Sequence, residues 1–242
     1  MHAKSIRQGK PLLSLILPIY NQYDNLRENF PAIYDALRRD FGIGNFEIVF
    51  VDDGSRDRSM ELERRFSKRA GVVLFSKMEN GGRGSALKLA IPKCRGKVIG
   101  FIDTDLAVPM RFVKPAVNKV LEGHQVVIGS KYMKGVKYDR VPSRLIISHG
   151  SNLLAQVMLG SRVSDHQCGF KFWNSDYIRK YLHELKDNGW FFDTEMIVRA
   201  QRHGVMPYEL PVEWRESKRS TFRIGHITSY FSSVVKMRFG LL

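Results

Sequence analysis

The 242-residue sequence is poor in cysteine and in long apolar runs, and acidic residues are its minority charge. Its two cysteines, Cys94 and Cys168, stand far apart and form no CxxC pair. Two thiols without a metal-ligand spacing suit a reducing compartment, with one disulfide between them as the alternative. No run reaches the roughly 18–20 apolar residues that span a bilayer. The start, "MHAKSIRQGKPLLSLILPIY", is basic and then apolar, but no small-residue cleavage site follows, and its apolar part reads directly as a first strand. Internal repeats, low-complexity tracts and a clear linker are also lacking. With 24 Asp+Glu against 39 Lys+Arg the net charge is +15. Such a balance attracts polyanions, whether nucleic acid, anionic lipid surfaces or phosphorylated substrates, without choosing among them. The expectation is an intracellular protein, soluble or at a membrane surface, folded as one domain over residues 1–242.

What is present is a regular alternation of elements. Residues 13–20 read as a strand, 24–39 as a helix with Leu26, Phe30, Ile33, Tyr34 and Leu37 at helical spacing, and 46–55 as a second strand. Ser55 or Asp57 is placed to cap a helix running to about Ala70. A third strand (72–76), a glycine loop leading into a helix (80–94) and a fourth strand, "KVIGFIDTD", follow. Short apolar strands alternating with helices predict a parallel α/β sheet. The second half adds a strand at 125–132, a broadly apolar helix at 143–160, a helix within 188–204 that stops at Gly204, a strand at 208–214, a polar basic loop and an amphipathic helix at 227–242.

In parallel sheets ligands bind outside the carboxyl ends of the strands. Asp52, Asp53, Asp103, Asp105 and the segment Pro18 to Asn21 all fall at those ends. Asp103 and Asp105, one residue apart, point the same way and can share one divalent cation, Mg²⁺ or Mn²⁺, with diphosphate oxygens. The bland reading is a pair of solvated turn carboxylates. "VDDGS" (51–55) is a second acidic strand end, suited to ribose or base contacts or else to turn and cap duties. "NGGRGSALK" offers backbone N–H groups and Arg83 to a phosphate, or is a plain loop before a helix. It is not a Walker A loop, and Leu87 stands where a Rossmann fingerprint would close with glycine.

"LPIYNQ", "VDDGS", "NGGRGSA", "DTDLAVP", "GSKY", "DHQCGFKFW" and "WFFDTEM" occur in an order that resembles family-2 inverting glycosyltransferases, nearest to the dolichyl-phosphate glucosyltransferase and mannose synthase group. The resemblance covers about residues 12–218. It implies a GT-A fold, a Rossmann-like nucleotide-diphospho-sugar transferase domain with a mostly parallel sheet flanked by helices. Residues 1–110 would form the donor half and 111–242 the acceptor half. It implies transfer of a hexose from a nucleotide sugar, of UDP-glucose or GDP-mannose type, to a polyprenyl (dolichyl) phosphate, on an anionic membrane surface at the cytoplasmic face. By the same resemblance Pro18, Tyr20, Asn21, Asp52, Arg83, Asp103, Asp105 and Gln167 serve the nucleotide sugar. Asp103 and Asp105 hold the metal, and Asp105, Arg144 and Asp165 are catalytic. Lys131, Arg144, Ser148, Arg215 and Lys218 meet the acceptor phosphate. Lys171 belongs to the second-half motif near the sugar, and Asp193 and Glu195 match an acidic pair. Ala107 departs from the mannose synthase branch, where a Gln at that position helps bind metal.

A phosphate monoester, with a second pKa of about 6, arrives ionised and needs cationic positioning more than a base. A hydroxyl acceptor, the alternative, would need one, and Asp165 is the candidate. A third reading is a basic nucleic-acid-binding module. The clustered carboxylates would repel a phosphate backbone, no standard motif supports it, and no nucleic-acid partner is expected. A catalytically dead sugar-nucleotide sensor is disfavoured by the retained Asp103 and Asp105. His149 and His166 lack metal-ligand spacing, and Trp190, Phe191 and Phe192 read as packing residues.

Overall fold

The structure is a computed structural model and describes residues 9–133, 135, 136, 138, 139, 142–215 and 225–242. The chain runs β1 (Leu13–Ile19), α1 (Tyr23–Phe41), β2 (Phe46–Asp53), α2 (Ser59–Phe66), β3 (Val72–Lys77), α3 (Arg83–Ala90), β4 (Val98–Ile102), α4 (Val113–Leu121) and β5 (Val126–Ser130). There follow β6 (Tyr138–Asp139), α5 (Pro142–Leu159), β7 (Phe170–Asn174), α6 (Ser175–Tyr181), α7 (Phe192–Arg202), β8 (Tyr208–Pro211), β9 (Trp214–Arg215) and α8 (Gly225–Arg238).

Seven strands form one sheet in the order β3-β2-β1-β4-β7-β5-β8, and β6 pairs with β9 separately. Every β2 residue is buried, and β1 is buried but for Pro18. A strand covered on both faces needs no polar alternation, which is why these segments read as continuous apolar runs. The two faces still separate by residue parity. Leu15 and Leu17 join Phe30, Ile33 and Phe50 on the α1 face, while Ile16 joins Val49, Ala86, Leu87 and Phe101 on the α3 face. Successive strands pass outward from β1 through β2 to β3, and the chain then returns to pair β4 against the other side of β1. That reversal opens a crevice at the strand ends between β1 and β4.

Four elements, α4, β6, α6 and β7, have no counterpart among the elements expected from the sequence. α4 and α6 are short, and β7 is the one strand antiparallel to its neighbours, β4 and β5. β7 sits centrally and turns Phe170 and Phe172 to one core cluster and Trp173 to the other. Its Lys171 is fully buried. The predicted strand at 208–214 resolves into β8 and β9.

Candidate active site at the strand ends

β4 stops where its chain leaves the ladder. Asp103 N–H donates to Gly169 O at 3.1 Å, and Leu106 N–H donates back to Asp103 O at 3.3 Å. Asp105 Oδ1 accepts the Ala107 N–H at 3.1 Å, and Leu106 takes a left-handed φ of 52° to complete the turn. A β-carbon on Gly169 would lie 1.9 Å from Asp103 Oδ2, so only glycine lets the carboxylate lodge there. Asp103 faces a small cleft lined also by Ile102, Ala107, Val108, Gly169 and Trp214.

Against these acids stands Arg83, the first residue of α3. The loop before it is pinned by Asp53, which accepts the N–H groups of Gly81 and Gly82 and the Lys77 ammonium. The Arg83 guanidinium lies 3.2 Å from Asp103 and 3.1 Å from Asp193, with the Trp190 ring centre 4.2 Å away. Lys171 pairs with the other Asp193 oxygen at 3.1 Å and donates to Cys168 O at 2.7 Å. Burial, with Asp105 and Asp193 nearby, pushes the Asp103 carboxyl up to about 6 against the pull of Arg83 and Lys171. Burial works against the Arg83 charge, but Asp103 and Asp193 outweigh it and hold the guanidinium ionised.

Among the described residues no group of three or more His, Cys, Asp or Glu side chains is arranged to cage a metal. Asp103 and Asp105 fit a hard divalent cation that takes one or two protein carboxylates and leaves its remaining positions to phosphate oxygens and water. The methyl group of Ala107 adds no ligand.

The ends of β1 and β2 are stitched together. Asp52 is buried, and its Oδ1 accepts the Gly54 and Ser55 N–H groups at 3.0 and 2.8 Å. Asn21, at φ 53°, accepts from Arg56 N–H at 2.8 Å and donates its own N–H to Ser55 Oγ at 3.0 Å. Asp57 Oδ1 accepts the Ser59 N–H at 2.9 Å just ahead of α2, whose N-cap position is held by Arg58 rather than by Asp57 or Ser55, and Ser55 serves Asn21 instead. Pro18 lies opposite Val51 in the ladder, and the Tyr20 ring is exposed beyond it.

Several site residues are engaged otherwise than the sequence suggested. Lys131 and Asp165 are both buried and paired with each other at 2.6 Å. Lys131 is therefore not an open cation for a phosphate. Burial pushes Asp165 up, but Lys131 and Lys171 outweigh it, so its pKa falls below the carboxylate norm, the wrong direction for a base. Ser148 is buried and accepts the Tyr132 hydroxyl at 2.6 Å, which makes it a pin between α5 and the segment after β5. Glu195 closes the loop before α7 by accepting the Lys186 and Asp187 N–H groups. His166 is buried between Asn152 and Ser161, and burial pushes it down to about 4. Gln167 is half-buried beside Cys168. Arg215 is exposed, and its N–H donates to Ala107 O at 2.9 Å, tying β9 to the Asp103–Asp105 turn. Arg144 falls in the first turn of α5; its side chain, and Lys218 entirely, lie outside the described residues.

Two residues were not anticipated in these roles. Trp190 read as packing, yet its ring covers Arg83. Glu63 belongs to no motif, yet an acid between Leu62 and Phe66 on the inward face of a helix is a legible anomaly.

The profile described as Glycosyl transferase family 2 matches residues 14–198. Glycosyltransferase AglD of Haloferax volcanii is 33% identical over 204 residues, which is 84% of this chain and 33% of AglD, so the chain spans about a third of that relative's length. Dolichyl-phosphate beta-glucosyltransferase ALG5D of Trichomonas vaginalis is 27% identical over 95% of this chain and 72% of its own. Among solved structures, a mannosyltransferase from Pyrobaculum calidifontis in complex with GDP-Man and Mn²⁺ superposes with a TM-score of 0.67 at 18% identity, covering 94% of this chain and 65% of that one. Glucosyl-3-phosphoglycerate synthase from Mycobacterium tuberculosis, in complex with Mn²⁺, UDP and phosphoglyceric acid, does so at 0.68 and 20% identity, covering 96% and 80%. These superpositions establish a GT-A fold.

Proposed function

Because the chain belongs to glycosyl transferase family 2, we propose that it transfers a hexose from a nucleotide sugar, with inversion, to a polyprenyl phosphate of the dolichyl type. The observation that carries the reading is the pairing of Asp103 and Asp105 at the end of β4 against Arg83 at the start of α3, in the crevice where the sheet reverses. Asp103 and Asp105 would hold Mg²⁺ or Mn²⁺. When bound, that cation neutralises charge on the leaving diphosphate. Arg83, braced by Trp190 and Asp193, supplies a fixed positive charge beside the same acids. The rim formed by Tyr20, Asn21 and the Asp52 turn suits the nucleoside.

The lipid-phosphate acceptor is supported by the state of the carboxylates. Asp165 is locked to Lys131, and Asp193 to Arg83 and Lys171. Acids held in ion pairs make poor bases, which favours a nucleophile that arrives already ionised. Relatives named dolichyl-phosphate beta-glucosyltransferase point the same way. Arg144 and Arg215 are the cations we assign to that phosphate, with Lys218 in the loop that follows. Peripheral attachment to an anionic membrane at its cytoplasmic face belongs to the same reading. The net charge of +15 supports it, as do the exposed apolar residues of α5 and α8.

The test is incubation with radiolabelled UDP-glucose or GDP-mannose, Mn²⁺ or Mg²⁺, and dolichyl phosphate, followed by organic extraction. Labelled glycolipid supports the proposal; label found only on a soluble hydroxyl compound assigns the acceptor to the alternative class. Asp105→Asn is expected to lower kcat by about 100- to 1000-fold, the scale of losing one electrostatic stabiliser, with its melting temperature unchanged. Full activity in that variant, or in chelator-treated protein, would remove the metal role.

A further inference from the structure

Glu63 lies on α2 directly behind the Asp52 turn, and no solvent reaches it. Neither of its carboxyl oxygens has a hydrogen-bond donor among the described residues, and neither does Asp52 Oδ2, although the two side chains are within hydrogen-bond reach of each other. Two carboxylate oxygens can only accept. Brought together in a dry site as two anions they would repel, each already bearing the cost of burial.

We propose that Glu63 is a neutral carboxylic acid whose proton is donated to Asp52 Oδ2, making Glu63 a positioning residue for the nucleoside rim. One proton satisfies two of the three orphaned oxygens. It is received at Oδ2, so that Oδ1 keeps its bonds to the Gly54 and Ser55 N–H groups. Ser55 in turn holds Asn21 through its Oγ, beside the exposed Tyr20. Glu63 therefore acts on the rim through Asp52 and the 54–55 turn, without touching a ligand.

The surroundings agree. The groups that act on Glu63 are Asp52 on β2, Asp57 in the following loop and, on its own helix, Arg64, whose attraction is the weakest influence. On α1 the titratable neighbour of this loop is Tyr23, whose ring lies under Arg58. On β3 it is Lys77, already committed to Asp53 and Ser85. Burial first, then the Asp52 and Asp57 charges, push Glu63 up to about 9.

The consequence for donor binding rests on the nucleotide-sugar reading, but the proton does not, and the experiment keeps the two apart. Infrared spectra of the ligand-free protein at neutral pH should show a protonated-carboxyl stretch that Glu63→Gln removes. Identical spectra would overturn the shared proton. Titration with UDP and GDP in Mn²⁺ then reads the positioning role. Glu63→Leu, which cannot donate, should weaken nucleotide binding by about 10-fold, the scale of one hydrogen bond to a charged group. Glu63→Gln, whose amide can donate to Asp52, should recover most of that loss. Equal affinity in wild type, Leu and Gln variants would overturn positioning. A wild type that binds neither nucleotide would sink the function proposed above and leave the infrared result standing. Should Glu63→Leu not fold, Glu63→Met, which also cannot donate, takes its place in the titration, and the infrared band decides the shared proton: its loss in Glu63→Gln supports the proposal, and its retention refutes it.

Discussion

Lys131 and Asp165 stand 34 positions apart, yet the fold brings them to 2.6 Å with both nearly sealed from water. Removing one partner of such a pair leaves the other charge buried and uncompensated, at a cost of roughly 3–5 kcal/mol. Lys131→Met and Asp165→Asn should each lower stability on that scale in urea titration, while the double variant Lys131→Met/Asp165→Leu should recover much of it. A phosphate-binding role for Lys131 predicts a different outcome: Lys131→Met near wild-type stability, with only the acceptor KM raised. Residue identity in the sequence shows a cation and an acid. It does not show that each has already used the other.

At the scale of elements, α5 and α8 are each divided. Leu154, Met158 and Leu159 of α5 pack with Tyr230, Val234 and Met237 of α8 and with Phe191 and Val198 in a third core cluster. The outer face of α5 leaves Leu153 and Val157, one helical turn apart, exposed, as α8 leaves Phe231. Core packing and exposure are thus divided between different faces of the same helices. No helix among the described residues is long and apolar enough to cross a membrane. Leu153→Glu with Val157→Glu should reduce co-sedimentation with anionic vesicles at least several-fold, because two apolar contacts are lost and negative charge is added, while the melting temperature changes little. Unchanged co-sedimentation would move the membrane contact elsewhere.

For the whole molecule, titration of buried groups sets how stability varies with pH. His166 is held neutral in the fold and its pKa drops from 6.5 to about 4, so the unfolded chain binds the extra proton between those values. Its contribution is complete above pH 6.5 and is lost as pH falls toward 4. Glu63 runs the other way. Its folded pKa is raised from 4.5 to about 9, so the native state holds the extra proton, and its contribution is complete below pH 4.5 and lost as pH rises through 9. Asp103, raised to about 6, has ionised before the alkaline part of this window, and the thiols of Cys94 and Cys168, pushed up by burial from 9 to about 12, act only above it. Between pH 6.5 and 9 stability should therefore fall, by at most about 1.4 kcal/mol per pH unit for one proton. Urea midpoints measured across that range should decline for wild type and stay level for Glu63→Gln. A flat wild-type profile would contradict the pairing of Glu63 with Asp52.

The strands β1 to β4 and the helices between them were legible because each has a local signal: a doubly buried strand is a continuous apolar run, and a packed helix repeats its apolar residues every three or four positions. The acids that end those strands were legible for the same reason, since parallel order sends every carboxyl end to one rim. β7 was not legible. Its direction is set by β4 and β5 on either side of it, and its buried Lys171 makes "FKFWN" look half-polar. Which acids are already paired was equally hidden, because Arg83 reaches Asp193 across 110 positions and Lys171 reaches it from the antiparallel strand. Order along the chain determined where the chemistry collects. Only contacts between distant segments decided which of those charges are spent on each other and which remain for a ligand.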